Sequence, residues 1–147
     1  MPDGTTFASL SIRQPSGGYR YSIDAVLLAD FAASFCGELI LDLGTGSGVV
    51  LLLLSRMCPS LRHGFGVEIQ RPLYEYARRN ILENGLGSKL SAVHGDFRER
   101  LPGVPSGSFD LVVSNPPYHR VGEGRRNPDP QKAAARHEVT CTMPELF

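Results

Sequence analysis

Tryptophan is absent, and the three cysteines, Cys36, Cys58 and Cys141, contain no C-x-x-C pair. That argues against a zinc ribbon or a dithiol redox motif. Cys36 and Cys58 stand among apolar residues and read as buried free thiols, which suits a reducing cytoplasm. No strong excess of either charge exists: 15 Lys and Arg balance 15 Asp and Glu. The whole-chain charge therefore gives no hint of a nucleic-acid partner, although a local patch can bind phosphate on a neutral protein. Long apolar runs are missing too. Val49–Leu54 is the longest strongly apolar stretch, far short of a membrane span, and no basic region followed by an apolar stretch opens the chain as in a secretory leader.

What is present is ordinary for a globular domain: 41% apolar and 20% charged residues in 147, enough for one core but not two. The charge is uneven along the chain. Residues 1–50 hold two basic against five acidic residues, and 51–100 hold eight against five. Between His119 and His137 lie Arg120, Arg125, Arg126, Lys132 and Arg136 against Glu123 and Asp129. A solvated loop and a phosphate-binding surface both fit that stretch.

Periodicity gives an alternation of strands and helices. Residues 8–21 read as a short hairpin or extended arm around Gln14-Pro15-Ser16-Gly17-Gly18. Ser22 can cap a helix over 23–35, with Val26, Leu27, Ala29, Phe31 and Ala32 on and around one face. A strand over 39–43, the turn Gly44-Thr45-Gly46-Ser47-Gly48 and an apolar helix to Pro59 follow. A second strand covers 64–68. Pro72 suits the first turn of the next helix and Gly85 the position past its end, with Leu73, Tyr76, Ala77, Ile81 and Leu82 as its stripe. A third strand over 90–93 runs to Gly95-Asp96, 102–108 is a turn-rich connection, and a fourth strand spans 109–113. Such alternation predicts an α/β fold, a doubly wound and mostly parallel sheet with right-handed crossovers. Residues 119–138, rich in Gly, Pro and Arg, read as a mobile loop, and Thr142-x-x-Glu145 resembles a capping box. Closing a helix-sandwiched sheet takes more strands, at roughly 30 residues per βαβ unit, so the chain reads as truncated after its fourth core strand.

Ligands of open parallel sheets lie beyond the carboxyl ends of the strands. Asp42 to Gly48 occupies such an end, where glycines let backbone approach a ligand. The dinucleotide fingerprint needs Gly at 49 or 51, where Val49 and Leu51 stand, and no G-K-[S/T] follows for a P-loop. An adenosine ligand lacking a pyrophosphate remains. Glu68, 20 residues after Gly48, can accept from both ribose hydroxyls, and Asp96 can meet the adenine amino group with Phe97 beside it. A plain tight βα turn is the blander explanation for the glycines, and Glu68 and Asp96 at successive strand ends weigh against it.

These residues resemble the class I S-adenosylmethionine-dependent methyltransferases. The resemblance implies that S-adenosylmethionine is the cofactor, that the Gly44–Gly48 turn holds its amino-acid part, Glu68 its ribose and Asp96 its adenine. The cofactor set it implies is Asp24, Asp42, Gly44, Thr45, Gly46, Gly48, Glu68, Ile69, Asp96, Phe97 and Asn115, with no metal.

Asn115-Pro116-Pro117-Tyr118, after the fourth strand, carries the chemistry. The lone pair of a planar amino nitrogen is delocalised and must be recovered. Two acceptors aimed at its N–H groups, the Asn115 side-chain oxygen and the Pro116 carbonyl, favour pyramidal geometry and offset the charge that develops. Pro117 stiffens the turn, and Tyr118 offers a flat face to an extruded base. A rigid post-strand turn is the alternative. The motif resembles the signature of enzymes acting on adenine N6, cytosine N4, guanine N2 and glutamine amides.

The segment from Gln14-Pro15 through Gly18-Tyr19-Arg20-Tyr21-Ser22-Ile23-Asp24 to Ala29 resembles the bacterial valine-tRNA adenine-N6 methyltransferases, small-domain enzymes, and the likeness covers residues 8–147. It implies an enzyme methylating adenine N6 in tRNA. Residues 1–36 then form an arm and helix closing over the cofactor, with Asp24 at its methionine end, and 37–147 form part of the catalytic domain. The basic loop would meet tRNA phosphates. A target in rRNA, DNA or a protein glutamine stays open, as does a non-catalytic nucleoside-binding module.

Overall fold

The computed structural model describes residues 10–16 and 21–116. Of these, residues 10–14 and 21–115 belong to one compact unit. Its elements run α1 (Ile23–Ala33), β1 (Leu39–Leu43), α2 (Val49–Met57), β2 (His63–Glu68), α3 (Arg71–Glu83), β3 (Leu90–His94) and β4 (Leu111–Ser114). All strand pairs are parallel, in the order β3-β2-β1-β4.

That order carries the site. The chain steps from β1 to β2 to β3 in one direction and then crosses back to β4 on the other side of β1. The carboxyl ends of β1 and β4 therefore flank the point where the winding reverses. In β1, Ile40 and Asp42 are buried while Leu39, Leu41 and Leu43 are less so, and register puts Gly64, Gly66 and Glu68 of β2 on the same side as Ile40 and Asp42.

Helix α2 is buried from Val49 to Ser55, the pattern of a helix covered on all sides. Leu51, Leu52 and Leu54 are fully enclosed. Leu52→Ala is expected to cost about 2–5 kcal/mol in urea unfolding. A loss below about 1 kcal/mol would mean that the site collapses around the smaller side chain.

Helix α1 differs from the expectation in two ways. It ends at Ala33, the Ser34 and Phe35 N–H groups bonding back to Phe31 and Ala32 carbonyls. Its buried face is made of small residues, Ala25, Ala29 and Ala32, while Ile23, Leu27, Phe31 and Phe35 are exposed. Helix α1 packs inward through these alanines, Val26 and Leu28 are partly buried against the core, and Ile23, Leu27, Phe31 and Phe35 turn outward. Ser22 caps the helix as its type predicts.

Cys36 and Cys58 lie side by side with Cα atoms 5.8 Å apart, where the segment after α1 meets the end of α2. Spacing along the chain could not reveal this, because helix packing brings the two ends together. Cys141 lies outside the described residues. Among the described residues no helix is long and apolar enough to cross a membrane.

Residues 10–14 form an extended arm, with no hairpin partner among the described residues. Asn80 of α3 and Asn84 just past its end hold it, Asn80 bonding Arg13 and Asn84 bonding Ser11.

Candidate cofactor and catalytic site

The turn after β1 is pinned from below. The Gly44 and Thr45 N–H groups donate to the Val67 carbonyl at 2.9 and 3.0 Å, and Gly48 N–H donates to Thr45 O at 2.9 Å. Gly44 takes φ +70° and a Cβ there would meet nothing within 4 Å, so its need for glycine is conformational and the space above it is open. Gly48, at φ +83°, starts α2 without a side-chain cap, leaving early helix amides for a ligand carboxylate.

Two buried carboxyls stand under the turn. Asp42 is 1% exposed and accepts from Thr45 Oγ1 at 2.6 Å. Burial pushes its pKa up to about 7, opposed by that hydrogen bond and aided by Glu68. Glu68 is also buried; its Oε2 accepts from Gly46 N–H at 2.9 Å and its Oε1 from Gln70 N–H at 2.8 Å. Burial raises its pKa too, against the backbone N–H groups that favour the charged form.

Ile69 follows at the surface, its carbonyl 3.1 Å from His94 Nε2. Asp96, beyond β3, is gripped by Arg98, whose Nε lies 2.8 and 3.0 Å from the two carboxylate oxygens. Those bonds hold its pKa below the ordinary value. Phe97 lines a cavity of about 230 Å³ with Leu41, Leu43, Val67 and Phe109 on the second face of the sheet. Asp24 is bonded by Ser22 Oγ at 2.7 Å within the cap of α1.

At the reversal point, Ser114 Oγ donates to the Leu43 carbonyl at 2.9 Å, fastening the end of β4 to the end of β1. Asn115 comes next and is half-buried. Asp42, the glycine turn, Glu68 and Asn115 thus gather at neighbouring strand ends. Pro116 is the last described residue; Pro117, Tyr118, the basic loop and the capping box at Thr142 lie outside. Ser114 and Arg98 had no signal in spacing or composition, since each acts through a partner fixed only by the fold.

A family of methyltransferase domains matches residues 40–136, from the middle of β1 through the Asn-Pro-Pro-Tyr sequence. The chain belongs to that family. Among its relatives, the tRNA1(Val) (adenine(37)-N6)-methyltransferase of Pedobacter heparinus is 33% identical over 93% of this chain and 56% of that protein. The enzyme of the same name from Proteus mirabilis is 28% identical over 98% and 56%. The methyltransferase chain therefore spans little more than half the length of these relatives. Among solved structures, the human methyltransferase 10 domain containing protein superposes with a TM-score of 0.60 at 18% identity, over 74% of this chain and 54% of that one. It shares the fold.

Family and fold support S-adenosylmethionine as the methyltransferase's cofactor. The residues fit it: open space over Gly44, uncapped amides at the start of α2 and a buried carboxylate at the end of β2 suit a ligand with a carboxylate at one end and a ribose in its middle. Asp96 and Asp24 fit less directly, since Arg98 and Ser22 already engage them.

Proposed function

We propose that the protein of which this chain is the cofactor-binding part methylates the exocyclic N6 amino group of an adenine in tRNA. The observation that carries the reading is the position of Asn115, next to the Ser114–Leu43 fastening at the switch point and one strand from the glycine turn. The tRNA-modifying names of the relatives support the substrate.

In this reading the cofactor supplies a methyl on a sulfonium. The chain's own residues do the rest. The Gly44–Gly48 turn, with Asp42 and Thr45 beneath it, binds the amino-acid end; Glu68 and Ile69 hold the ribose; Asp96 and Phe97 take the adenine; Asp24 and residues 1–36 close over the methionine end bound by 37–147. Asn115 Oδ1 and the Pro116 carbonyl accept the two substrate N–H groups, and Pro117 limits how the backbone can turn. Tyr118 stacks on the base. No strong base is needed, because a proton can leave once the nitrogen has become cationic. Positioning supplies most of the acceleration. A tRNA substrate puts the enzyme in the cytoplasm.

The test is transfer of labelled methyl by the full-length protein to tRNA, with ribosomal RNA, DNA and release factor as competitors. Methylated adenine N6 in tRNA is the expected product. Label on protein alone would move the assignment to glutamine, and cofactor uptake without any transfer would make this a binding module. For the basic loop, Arg125→Ala with Arg126→Ala is expected to weaken tRNA binding and flatten its salt dependence. Equal binding at two salt concentrations would remove that surface from the interface.

A further inference from the structure

Asn80 is a fully buried polar residue on the α3 face that otherwise carries Leu73, Ala77 and Ile81. Its side chain reaches two other parts of the chain. Oδ1 accepts the Arg13 N–H at 2.8 Å, while Nδ2 donates to the Arg13 and Ser47 carbonyls, both at 2.9 Å. The amide's acceptor and both of its donors are engaged. Turning it over would set an oxygen against two carbonyls, so the network fixes its orientation. Asn84 repeats half of the pattern one turn later, accepting from Ser11 N–H at 2.9 Å and donating to Ser11 O at 2.7 Å.

Arg13 belongs to the N-terminal arm and Ser47 to the glycine turn, 34 residues apart. One enclosed amide holds both. We propose that Asn80 is a positioning residue that couples docking of the arm to the shape of the Gly44–Gly48 turn. The inference rests on reading that turn as the cofactor site. The Asn80 bond to Ser47 O orients the peptide between Ser47 and Gly48, directly before α2 begins. When the arm lifts away, the same amide loses two of its three partners. It must then shift or recruit water, and its hold on Ser47 loosens. Coupling of this kind is reciprocal, so a ligand that fixes the turn also fixes the arm.

Two substitutions at one position separate the coupling from general damage. Arg13→Pro deletes the backbone N–H that Asn80 accepts, whereas Arg13→Ala keeps that N–H and removes only the ion pair with Glu83. Hydrogen exchange at Gly46 and Gly48, whose N–H groups bond Glu68 and Thr45, is read without ligand. Calorimetry then measures binding of S-adenosylhomocysteine. In Arg13→Pro both amides are expected to exchange roughly tenfold faster than in Arg13→Ala, with ligand weakened by a similar factor. Asn80→Ala should do at least as much, and if it fails to fold the Arg13 pair still decides. Equal exchange in the two Arg13 variants overturns the proposal, whatever the ligand does. If the exchange difference holds but the unsubstituted chain takes up no S-adenosylhomocysteine, the coupling stands and the reading of the turn as a cofactor site fails.

Discussion

Asn115→Ala in the full-length enzyme is expected to slow methyl transfer by about 10²–10³-fold, the usual cost of losing one preorganised acceptor or donor at a centre where charge develops. Cofactor affinity should change far less, because the turn after β1 and Glu68 remain in place. The reason is chemical. A planar amine attacks poorly until its lone pair is localised, and an acceptor on each N–H favours that change as positive charge builds on nitrogen. With Ala at 115 only the Pro116 carbonyl remains of the proposed pair. Asn115→Asp makes the contrast: it keeps an acceptor of the same shape and adds charge, so its loss is expected to be smaller than that of Ala if geometry dominates. Measuring kcat beside the cofactor dissociation constant separates the two roles that Asn115 carries. A kcat within a few-fold of the parent would remove it from the chemistry. Loss of cofactor binding with kcat preserved at saturation would make it a cofactor ligand only.

Legibility in the sequence followed how local each cause was. The strand over Leu39–Leu43 was readable because a short apolar run bounded by glycines has few other conformations, and it forms over the expected residues. Pro72 and Gly85 marked the ends of α3 for reasons contained within a few residues: Pro lies in the first turn, and Gly85 adopts φ +69° just beyond Asn84. Positive φ at Gly44, Gly46 and Gly48 follows the same logic. Glu68 could be placed because a strand end at a set distance past a glycine turn is a pattern along the chain.

What escaped depends on partners distant in sequence. Leu27 and Phe31 looked like core from their hydrophobicity, yet α1 packs inward through Ala25, Ala29 and Ala32, and both stay exposed. The closeness of Cys36 and Cys58 needed the crossing of α1 on α2. Asn80 interrupts an apolar stripe, which is a signal, but nothing in the stripe says that its partners are Arg13 and Ser47. Asp96 sits where a strand-end carboxylate was expected, and its neighbour Arg98 competes for it. An adenine amino group there would have to share the carboxylate or displace the guanidinium.

The second large effect is one of pH on stability, and it centres on Asp42. In the unfolded chain an aspartate titrates near 3.8, whereas burial in the folded protein pushes Asp42 up to about 7. Below 3.8 both states carry the proton and Asp42 costs nothing. Between the two values the unfolded chain ionises while the folded one keeps its proton, so stability falls as pH rises, by about 1.4 kcal/mol per pH unit. Above about 7 both are charged and the accumulated cost, on the order of 4 kcal/mol, stays constant. Asp42→Asn keeps an oxygen for Thr45 Oγ1 and cannot ionise. It is therefore expected to be more stable than the parent at pH 8, with an advantage that shrinks towards zero near pH 4. Glu68 is raised as well and pulls in the same direction, so some fall with pH persists in the variant; the parent-minus-variant difference reports Asp42 together with its coupling to Glu68. Urea midpoints of both proteins across pH 4–8 measure it. An advantage that does not vary with pH would mean that Asp42 is charged throughout, held by partners or water within the turn. A buried carboxyl that weakens the fold near neutral pH, under the glycine turn and beside Glu68, fits a residue kept for the site rather than for stability. Asp42→Asn should accordingly gain stability while binding S-adenosylhomocysteine less tightly.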